Sequence, residues 1–343
     1  MTGRPDPTAS PAPAPRTDPA AGTEPAARLD PSSRSAPTSV AAVVGIDIGG
    51  SKTHGVLSRG GTVLAESVQG AANPSSVGVA EAARQLDALV ADLTAAAPGG
   101  QPEVAAVCVG AAGIESDDAV DRLDLLVSER FPGVPVRVVH DTALVLAAAG
   151  LDAGLVVISG TGSAAWGRTA AGEQARAGGW GYVLGDAGSG YGLARAAVRH
   201  VLDRADEGLV PDPLTATLLG ACGVDSPAQL LDLFYAAPER RTWAARAGAV
   251  VALAEAGDAD AVGLVDDTAA ELVQAVTRVG RRLGLTGPVV LAGGLVVHQP
   301  LLQATVADQL ATAGLSDVRV LDTAPVHGAV ALAAALAAGS TGP

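Results

Sequence analysis

An internal repeat constrains the fold of this chain more than any other feature of its sequence. Residues 43–61 (VVGIDIGGSKTHGVLSRGG) and 154–172 (GLVVISGTGSAAWGRTAAG) share one pattern: an apolar run typical of a strand, a glycine-rich turn with hydroxyl side chains, and a second extended run. Gly49 of the first copy corresponds to Gly160 of the second, an offset of 111 residues. Such a repeat indicates a duplicated structural unit. We therefore expect two similar α/β lobes with a cleft between them.

The remaining patterns assign residues 41–142 to an N-terminal lobe and residues 143–343 to a C-terminal lobe. In the first lobe, helical periodicity near 75–97 and 117–130 alternates with the strand-like runs VAAVCVGAAG and VRVVHDT. The second contains a long periodic helix near 262–283, the strand pattern GPVVLAGGL and a closing Ala/Leu-rich helix. We expect this last helix to pack back on the first lobe.

The first 40 residues have a different composition from the rest of the chain. They are rich in Pro, Ala, Ser and Thr and show no periodic apolar positions. Because such a segment cannot bury enough apolar surface to offset its ordering entropy, residues 1–40 are predicted to be a disordered tail.

Composition argues against several classes of function. With 2% aromatic residues and a net charge of −14, the chain offers neither stacking platforms nor a basic face for nucleic acid. No apolar run of about 18 residues and no signal-peptide pattern is visible, so we expect no membrane contact and a cytoplasmic protein. Cys108 and Cys222 have no metal-ligand spacing and are expected to be buried, reduced thiols.

The first glycine turn, in GIDIGGSKT, contains Lys52, the only lysine beside 21 arginines. Glycines at a tight turn let backbone N–H groups approach an anion, and Ser51 and Lys52 add a hydroxyl and a compact positive charge. These features suit a phosphate group. An ordinary β-hairpin with an exposed lysine is the alternative.

The second glycine turn, SGTGS at residues 159–163, also satisfies the GxGxxA pattern of dinucleotide-binding folds. That fingerprint requires a helix directly after the turn. The following residues are broken by Gly167 and Gly172 and are patterned as a hairpin, which argues against a nicotinamide cofactor.

Three further segments carry candidate chemistry. Asp141 follows an apolar strand, where a carboxylate can point into a ligand crevice or simply cap the next helix. The segment GGWGYVLGDAGSGYGLA, at residues 178–194, has the glycine density of a loop that closely approaches a ligand. LAGGL, at residues 291–295, ends a strand at a glycine pair, which suits a nucleoside or a plain turn.

Taken together and in this order, DIGGSKT, HDT, SGTGS, GGWGYVLGDAGSGY and LAGGL resemble the BadF/BadG/BcrA/BcrD-type ATPase family, in its N-acetylglucosamine kinase branch. The resemblance covers residues 43–338. It implies an α/β actin-like ATPase fold, in which two ribonuclease H-like lobes surround a central cleft.

The resemblance also implies roles for individual residues, with ATP and Mg²⁺ as cofactors. Asp47 would lie near the metal, Asp141 would be the catalytic base, and Asn73, Trp180 and Asp186 would contact the sugar. The nucleotide would be bound by Asp47, Gly49, Gly50, Ser51, Lys52 and Thr53 in the first phosphate motif, Gly160, Thr161, Gly162 and Ser163 in the second, and Gly293 and Gly294 at the adenosine.

The implied reaction transfers the γ-phosphoryl group of ATP to the 6-hydroxyl of N-acetylglucosamine or glucosamine. Ala187 and Gly192 stand where the family often has Glu and an aromatic residue, which leaves the identity of the amino sugar open. Two other functions stay open: an ATPase activator of a 2-hydroxyacyl-CoA dehydratase, which needs cysteine ligands for an iron–sulfur cluster, and a nucleotide-dependent sugar sensor. A homodimer is compatible with each of these.

Overall fold

The computed structural model describes residues 41–50, 52–96, 102–114, 116–236 and 239–339. The predicted disordered tail, residues 1–40, lies outside the described residues, and so does the predicted phosphate ligand Ser51. The described residues from 41 onward belong to a single compact unit.

The first half of the unit is a five-stranded mixed sheet in the order β3-β2-β1-β4-β5. Strands β1 to β3 pair antiparallel as a meander, whereas β4 and β5 run parallel to β1. The elements of this half are β1 (Ala42–Ile48), β2 (Thr53–Arg59), β3 (Thr62–Gln69), α1 (Pro74–Val77), α2 (Val79–Ala95), β4 (Val104–Ala111), α3 (Asp117–Ser128), β5 (Val136–His140) and α4 (Asp141–Ala148).

The second half repeats this sheet, with the order β10-β9-β6-β7-β8. Its first three strands again form a meander, and its last two again run parallel to the first strand of the sheet. The elements are β6 (Gly154–Ser159), β7 (Ser163–Arg168), β8 (Gln174–Gly178), α5 (Gly181–Leu184), α6 (Gly190–Asp206), α7 (Pro213–Cys222), α8 (Pro227–Ala236), α9 (Arg240–Ala244), α10 (Ala247–Glu255), α11 (Ala259–Leu283), β9 (Val289–Ala292), α12 (Gly294–His298), α13 (Pro300–Thr312), β10 (Val318–Val320) and α14 (Pro325–Ala337).

The predicted two-lobed α/β fold is confirmed, but the two glycine turns differ in length. Ile48 pairs with Thr53 in the first sheet, whereas Ser159 pairs with Ser163 in the second. The first turn therefore spans residues 49–52 and the second only residues 160–162. The ungapped overlay of the two repeats holds up to Gly49 and Gly160 and is out of register by one residue beyond them.

Helix α11 shows how the local sequence produces the packing. The side chain of Asp258 caps its first turn by accepting from the N–H of Ala261 at 2.9 Å, and Gly284 ends it in the left-handed region at φ 67°. One face buries an apolar stripe against strands β7 and β8. Full burial of each large aliphatic side chain in that stripe contributes about 1.5–3 kcal/mol. The stripe includes Val265, Leu272, Val276 and Val279.

Helix α14 packs on strands β1, β2 and β4 and on helix α4, so the last described helix lies on the first sheet. Glycines in β1 and in α14 allow this helix to approach the sheet and α4 closely. A Cβ at Gly45 in β1 would lie 2.5 Å from the backbone nitrogen of Val330, and one at Gly328 would collide with the carbonyl of Leu144 in α4. The packing of α14 against β1 and α4 thus fixes the position of α4, whose first residue is the predicted catalytic carboxylate.

Candidate active site

Asp47 is the next-to-last residue of β1, directly before the first glycine turn. The N–H of Gly49 closes this turn by donating to the carbonyl of Lys52 at 2.9 Å. Burial raises the pKa of the Asp47 carboxyl to about 6; the negative charge of Asp141 acts in the same direction, and Lys52 opposes both. These three predicted site residues, from two separate segments, therefore lie within one local electrostatic field.

Thr53 opens strand β2 on the far side of the same turn. It is fully buried, and its hydroxyl oxygen has no hydrogen-bond partner among the described residues. A buried polar atom without a partner costs about 1–3 kcal/mol, which a ligand oxygen or a metal-bound water would recover. Beside it, a Cβ at Gly50 would meet nothing within 4 Å, so the tip of the turn is open.

Asp141 is the first residue of α4, immediately after strand β5. The helix is capped by His140, whose Nδ1 accepts from the N–H of Thr142 at 3.4 Å, so the alternative of Asp141 as the capping residue is wrong. Nδ1 also lies 2.8 Å from Oδ1 of Asp141. That carboxylate oxygen is buried and makes no hydrogen bond within the described residues. It lies beside the His140 ring and has lone pairs left to accept a proton, as a catalytic base must.

The second glycine turn and the third glycine pair lie against each other. The N–H of Gly160 donates to the carbonyl of Gly162 at 3.0 Å across the second turn. Gly293 has φ 95°, and a Cβ there would lie 2.6 Å from the carbonyl oxygen of Ser159; a Cβ at Gly160 would lie 3.5 Å from the nitrogen of Gly294. Strand β7, not a helix, follows the second turn, which confirms that the dinucleotide fingerprint does not apply.

Asp186 lies against the second glycine turn, with Gly162 close beside it. Its Oδ1 accepts from the N–H of Ser163 at 3.1 Å, its side chain is buried, and its φ is +60°. The hydroxyl of Ser159 donates to the carbonyl of Gly188 at 2.7 Å and holds the same loop. The loop is therefore anchored to the second glycine turn, and both phosphate binding by that turn and sugar contact by Asp186 stay predictions.

The other two predicted sugar residues have contrasting environments. Asn73 is buried: its Nδ2 donates to the carbonyl of Ala112 at 2.6 Å, and its Oδ1 caps α1 by accepting from the N–H of Ser75 at 2.9 Å. Trp180 is 67% exposed, and the guanidinium of Arg176 lies 5.1 Å from its ring centroid. Asn73 thus ties two loops of the first sheet together, whereas Trp180 presents a free ring face.

Two residues missed by sequence reasoning support the candidate site, together with Gly192, whose departure from the family pattern the sequence already showed. His140 caps the helix that begins with Asp141, and Arg176 stacks on Trp180. Gly192 leaves no room for a side chain, since a Cβ there would lie 2.5 Å from the carbonyl oxygen of Ala187. The HDT motif contains the histidine, so the sequence offered a signal for it. The contact of Arg176 with Trp180 and the crowding at Gly192 arise from the folded loop, and no local sequence pattern predicts them.

The residues at the first turn fit a magnesium–nucleotide site. Mg²⁺ prefers oxygen donors, and the carboxylate of Asp47 and the unpartnered hydroxyl of Thr53 supply them. A divalent cation would also offset the repulsion by which Asp141 raises the pKa of Asp47. Mg²⁺ would therefore be held on the Asp47 side of the first turn.

A second group of potential metal ligands lies elsewhere in the chain. Donor atoms of His200, Asp212 and Asp260 lie within 4.8 Å of one another. However, Oδ2 of Asp212 also lies 3.0 Å from Nε of Arg204 and 2.7 Å from Nε2 of His200. A guanidinium at that distance makes this group an ion-pair network around the cap of α7.

The duplicated sheets and their glycine turns place the chain in the actin-like class of two-lobed α/β folds, which includes sugar kinases. The model of the BadF/BadG/BcrA/BcrD ATPase family matches residues 44–333, and the chain belongs to this family. No helix in the described ranges combines the length and apolar character needed to cross a membrane.

Two relatives are named as amino-sugar kinases. The chain is 34% identical over 197 residues to an N-acetylmuramic acid/N-acetylglucosamine kinase of Clostridium acetobutylicum, an alignment that covers 56% of this chain and only 64% of that relative. It is 27% identical over 277 residues to an N-acetyl-D-glucosamine kinase of Dictyostelium discoideum, covering 76% and 86% of the two chains. A solved structure of a candidate N-acetylglucosamine kinase from Chromobacterium violaceum superposes with a TM-score of 0.67 at 24% identity, over 85% of this chain and 99% of that one.

Proposed function

We propose that this chain is a cytoplasmic, ATP-dependent amino-sugar kinase that phosphorylates the 6-hydroxyl of N-acetylglucosamine or glucosamine. The observation that carries the proposal is the buried Oδ1 of Asp141, which makes no hydrogen bond within the described residues and lies just after β5, close to Asp47. The names of the relatives support an N-acetylated amino sugar.

In this mechanism, Asp141 accepts the proton of the attacking sugar hydroxyl. A hydroxyl is a poor nucleophile, so a carboxylate within hydrogen-bond reach promotes its attack on the γ-phosphorus. His140 positions Asp141 at the start of α4, because its Nδ1 accepts the N–H of Thr142 and so fixes the first turn of the helix.

The nucleotide is held by the three glycine segments. The N–H groups of Gly49 and Gly160 close the two turns, so the backbone N–H groups at 50 and 161–162 cradle the phosphates, and the ammonium of Lys52 adds a compact charge. Bound Mg²⁺ supplies charge neutralisation of the phosphate oxygens. Gly293 and Gly294 offer a surface without side chains for the nucleoside, beside the second turn.

The sugar lies between Asp141 and the loop that contains Trp180 and Asp186. The exposed indole offers an apolar face to a pyranose ring, and Arg176 fixes its orientation from the other side. Asn73 retains one N–H and one acceptor lone pair beyond its two backbone contacts, which suffices for one or two sugar hydroxyls.

A sugar-dependent ADP-release assay over N-acetylglucosamine, glucosamine, N-acetylmannosamine, N-acetylmuramic acid and glucose tests the proposal. We expect the highest kcat/KM with N-acetylglucosamine or glucosamine, and a phosphorus NMR spectrum of the product that shows a 6-phosphate coupled to the C6 protons. ADP release that is equally fast without any sugar, or no sugar phosphate with any member of the panel, would contradict it.

A dehydratase-activating ATPase is disfavoured by the two cysteines. Cys108 is buried within β4, and burial raises the pKa of its thiol to about 12. The sulfur of Cys222 accepts a hydrogen bond from Nε of Arg246 at 3.0 Å. Neither thiol is therefore presented as a ligand for a cluster shared by two subunits. Detection of iron and acid-labile sulfide in the purified protein would contradict this argument and favour a dehydratase activator.

A further inference from the structure

The short helix α5 forms the middle of the loop that contains two of the predicted sugar residues. Trp180 directly precedes this helix, and Asp186 follows it by two positions. The apolar side chains of Val183 and Leu184, within α5, are 70% and 84% exposed. Because so little apolar surface is buried here, the hydrophobic effect contributes little to holding the loop. The position of α5 therefore depends on polar and aromatic contacts.

The two ends of the loop are attached to the second glycine turn and to the strand that follows it. The N–H of Gly179 donates to the carbonyl of Ser163 at 3.0 Å, and the N–H of Gly190 donates to the carbonyl of Gly160 at 2.8 Å. The chain around Trp180, in contrast, is rich in glycines with positive φ, which adopt many backbone conformations at low cost. These glycines have φ of 76°, 71° and 80°, respectively: Gly178, Gly179 and Gly181.

Arg195, on helix α6, connects the middle of the loop to the core. Its Nη1 donates to the carbonyl of Tyr182 in α5 at 2.9 Å, and its guanidinium lies 5.8 Å from the ring centroid of Tyr191. Tyr191 belongs to the buried core of the second half, and its ring meets that of Tyr182 edge to face, with 5.5 Å between the centroids. One arginine thus holds both the backbone of α5 and the aromatic residue on which α5 packs.

A second arginine contacts α5 in a different way. The guanidinium of Arg240 lies 5.2 Å from the ring centroid of Tyr182. This contact is to a side chain, whereas Arg195 bonds the backbone only two residues from Trp180. A charge-assisted hydrogen bond to a carbonyl fixes a direction as well as a distance. Arg195 therefore restrains the backbone of α5 more strictly than Arg240 does.

We infer that Arg195 is a positioning residue for the sugar, because it holds α5 so that Trp180 keeps the orientation in which its ring receives the substrate. The inference rests on the proposed sugar-kinase function. Asp186 keeps its own bond to the N–H of Ser163, so the second glycine turn should be unaffected by loss of Arg195. Displacement of Trp180 should therefore weaken sugar binding and leave nucleotide binding and the chemical step intact.

The first test requires no turnover. Trp180 is 67% exposed, whereas the other two tryptophans of the chain, Trp166 and Trp243, are 4% and 1% exposed. The difference in time-resolved fluorescence anisotropy between the wild type and Trp180→Phe isolates the motion of Trp180. In Arg195→Gln its fast component should increase about twofold or more. The control Arg199→Gln, exposed on the same helix, should leave it unchanged. An unchanged decay in Arg195→Gln would overturn the inference.

Steady-state kinetics with MgATP and N-acetylglucosamine test the effect on the sugar. Arg195→Gln should raise the KM for the sugar about tenfold, with kcat and the KM for ATP within about twofold of wild type. Equal rises in both KM values, or the same rise in Arg199→Gln, would overturn the inference.

Arg195→Lys keeps the charge and a donor but loses the planar fork, so both measurements should show a smaller change in the same direction. This variant decides the question should Arg195→Gln fail to fold. A wild type that phosphorylates no sugar would contradict the proposed function, whereas the anisotropy measurement would still decide whether Arg195 holds the loop.

Discussion

Asp141 lies close enough to Asp47 for its negative charge to add to the effect of burial in raising the pKa of Asp47 to about 6. The two carboxylates come from the ends of strands β1 and β5, and β4 lies between these strands in the sheet. Repulsion between them is unfavourable in the free protein. It is the arrangement expected where a cation and a phosphorylated ligand complete the site.

The first prediction concerns Asp47→Asn and the pH dependence of stability. The folded-state pKa of about 6 exceeds the ordinary value of 3.8, so the folded protein binds this proton more tightly than the unfolded chain does. The contribution to stability is therefore greatest below pH 3.8 and is lost as the pH rises through about 6. Above that range, ionised Asp47 costs about 3 kcal/mol, and Asn should recover about 1–3 kcal/mol of unfolding free energy at pH 8.

Urea unfolding at pH 8 and pH 3.5 checks this prediction, since the gain should vanish at the lower pH. The matched control, Asp121→Asn on the exposed face of α3, should change stability at neither pH. Millimolar Mg²⁺ with ATP should stabilise the wild type at pH 8 but not the Asp47 variant. A variant that is less stable than the wild type at pH 8 would show that Asp47 is not under electrostatic strain.

The second prediction concerns Lys52, the only lysine of the chain. An amine-directed reagent can attack only this side chain and the N-terminus. We expect labelling of Lys52 to inactivate the protein, and saturating MgATP to slow labelling by about tenfold or more, because the ammonium would be covered by phosphate oxygens.

Lys52→Arg is the control for charge alone. It should retain much of the turnover while escaping the reagent, so that inactivation of the wild type can be assigned to this residue. Complete labelling of Lys52 with unchanged kcat and unchanged KM for ATP would exclude it from the nucleotide site.

The third prediction separates two adjacent glycines. Gly293→Ala should lower the melting temperature by several degrees, since φ is 95° and the new Cβ would lie 2.6 Å from the carbonyl oxygen of Ser159. The new Cβ of Gly294→Ala would have no atom within 4 Å in the free protein, so stability should be unchanged. The KM for ATP should rise, because the methyl group would occupy the surface proposed for the nucleoside. The control, Gly263→Ala on the surface of α11, should leave the KM for ATP unchanged and raise the melting temperature, because Ala is about 0.5–1 kcal/mol better than Gly inside a helix. An unchanged KM for ATP in Gly294→Ala would separate this turn from the nucleoside.

The repeat made much of this architecture predictable. Alternating apolar runs and glycine turns are local signals, and the matching of Gly49 with Gly160 correctly implied two sheets of the same order. The one-residue difference in length between the turns could not be predicted from the sequence. The strands that follow begin at Thr53 and Ser163, and only the pairing between strands fixes those positions.

The site was less predictable than the fold. The HDT motif correctly marks the end of β5, but the capping role of His140 depends on side-chain geometry that composition does not encode. The placement of Asp186 on the second turn requires a positive φ at a non-glycine residue, which sequence patterns disfavour. Contacts between distant segments, such as that of Arg176 with Trp180, arise only once the loop has folded onto the sheet.

The measurement that tests the central claim most directly is the turnover of Asp141→Asn with MgATP and N-acetylglucosamine, beside direct titration of both ligands. As the proton acceptor, Asp141 should contribute a factor of about 10²–10⁴ to kcat, while the isosteric amide should preserve the helix start and leave the Kd of sugar and nucleotide within about threefold of wild type. Asp118→Asn, exposed on α3, should have no effect. A variant that turns over at the wild-type rate, or one that loses sugar binding and kcat together with a collapsed melting temperature, would contradict the assignment of Asp141 as the catalytic base.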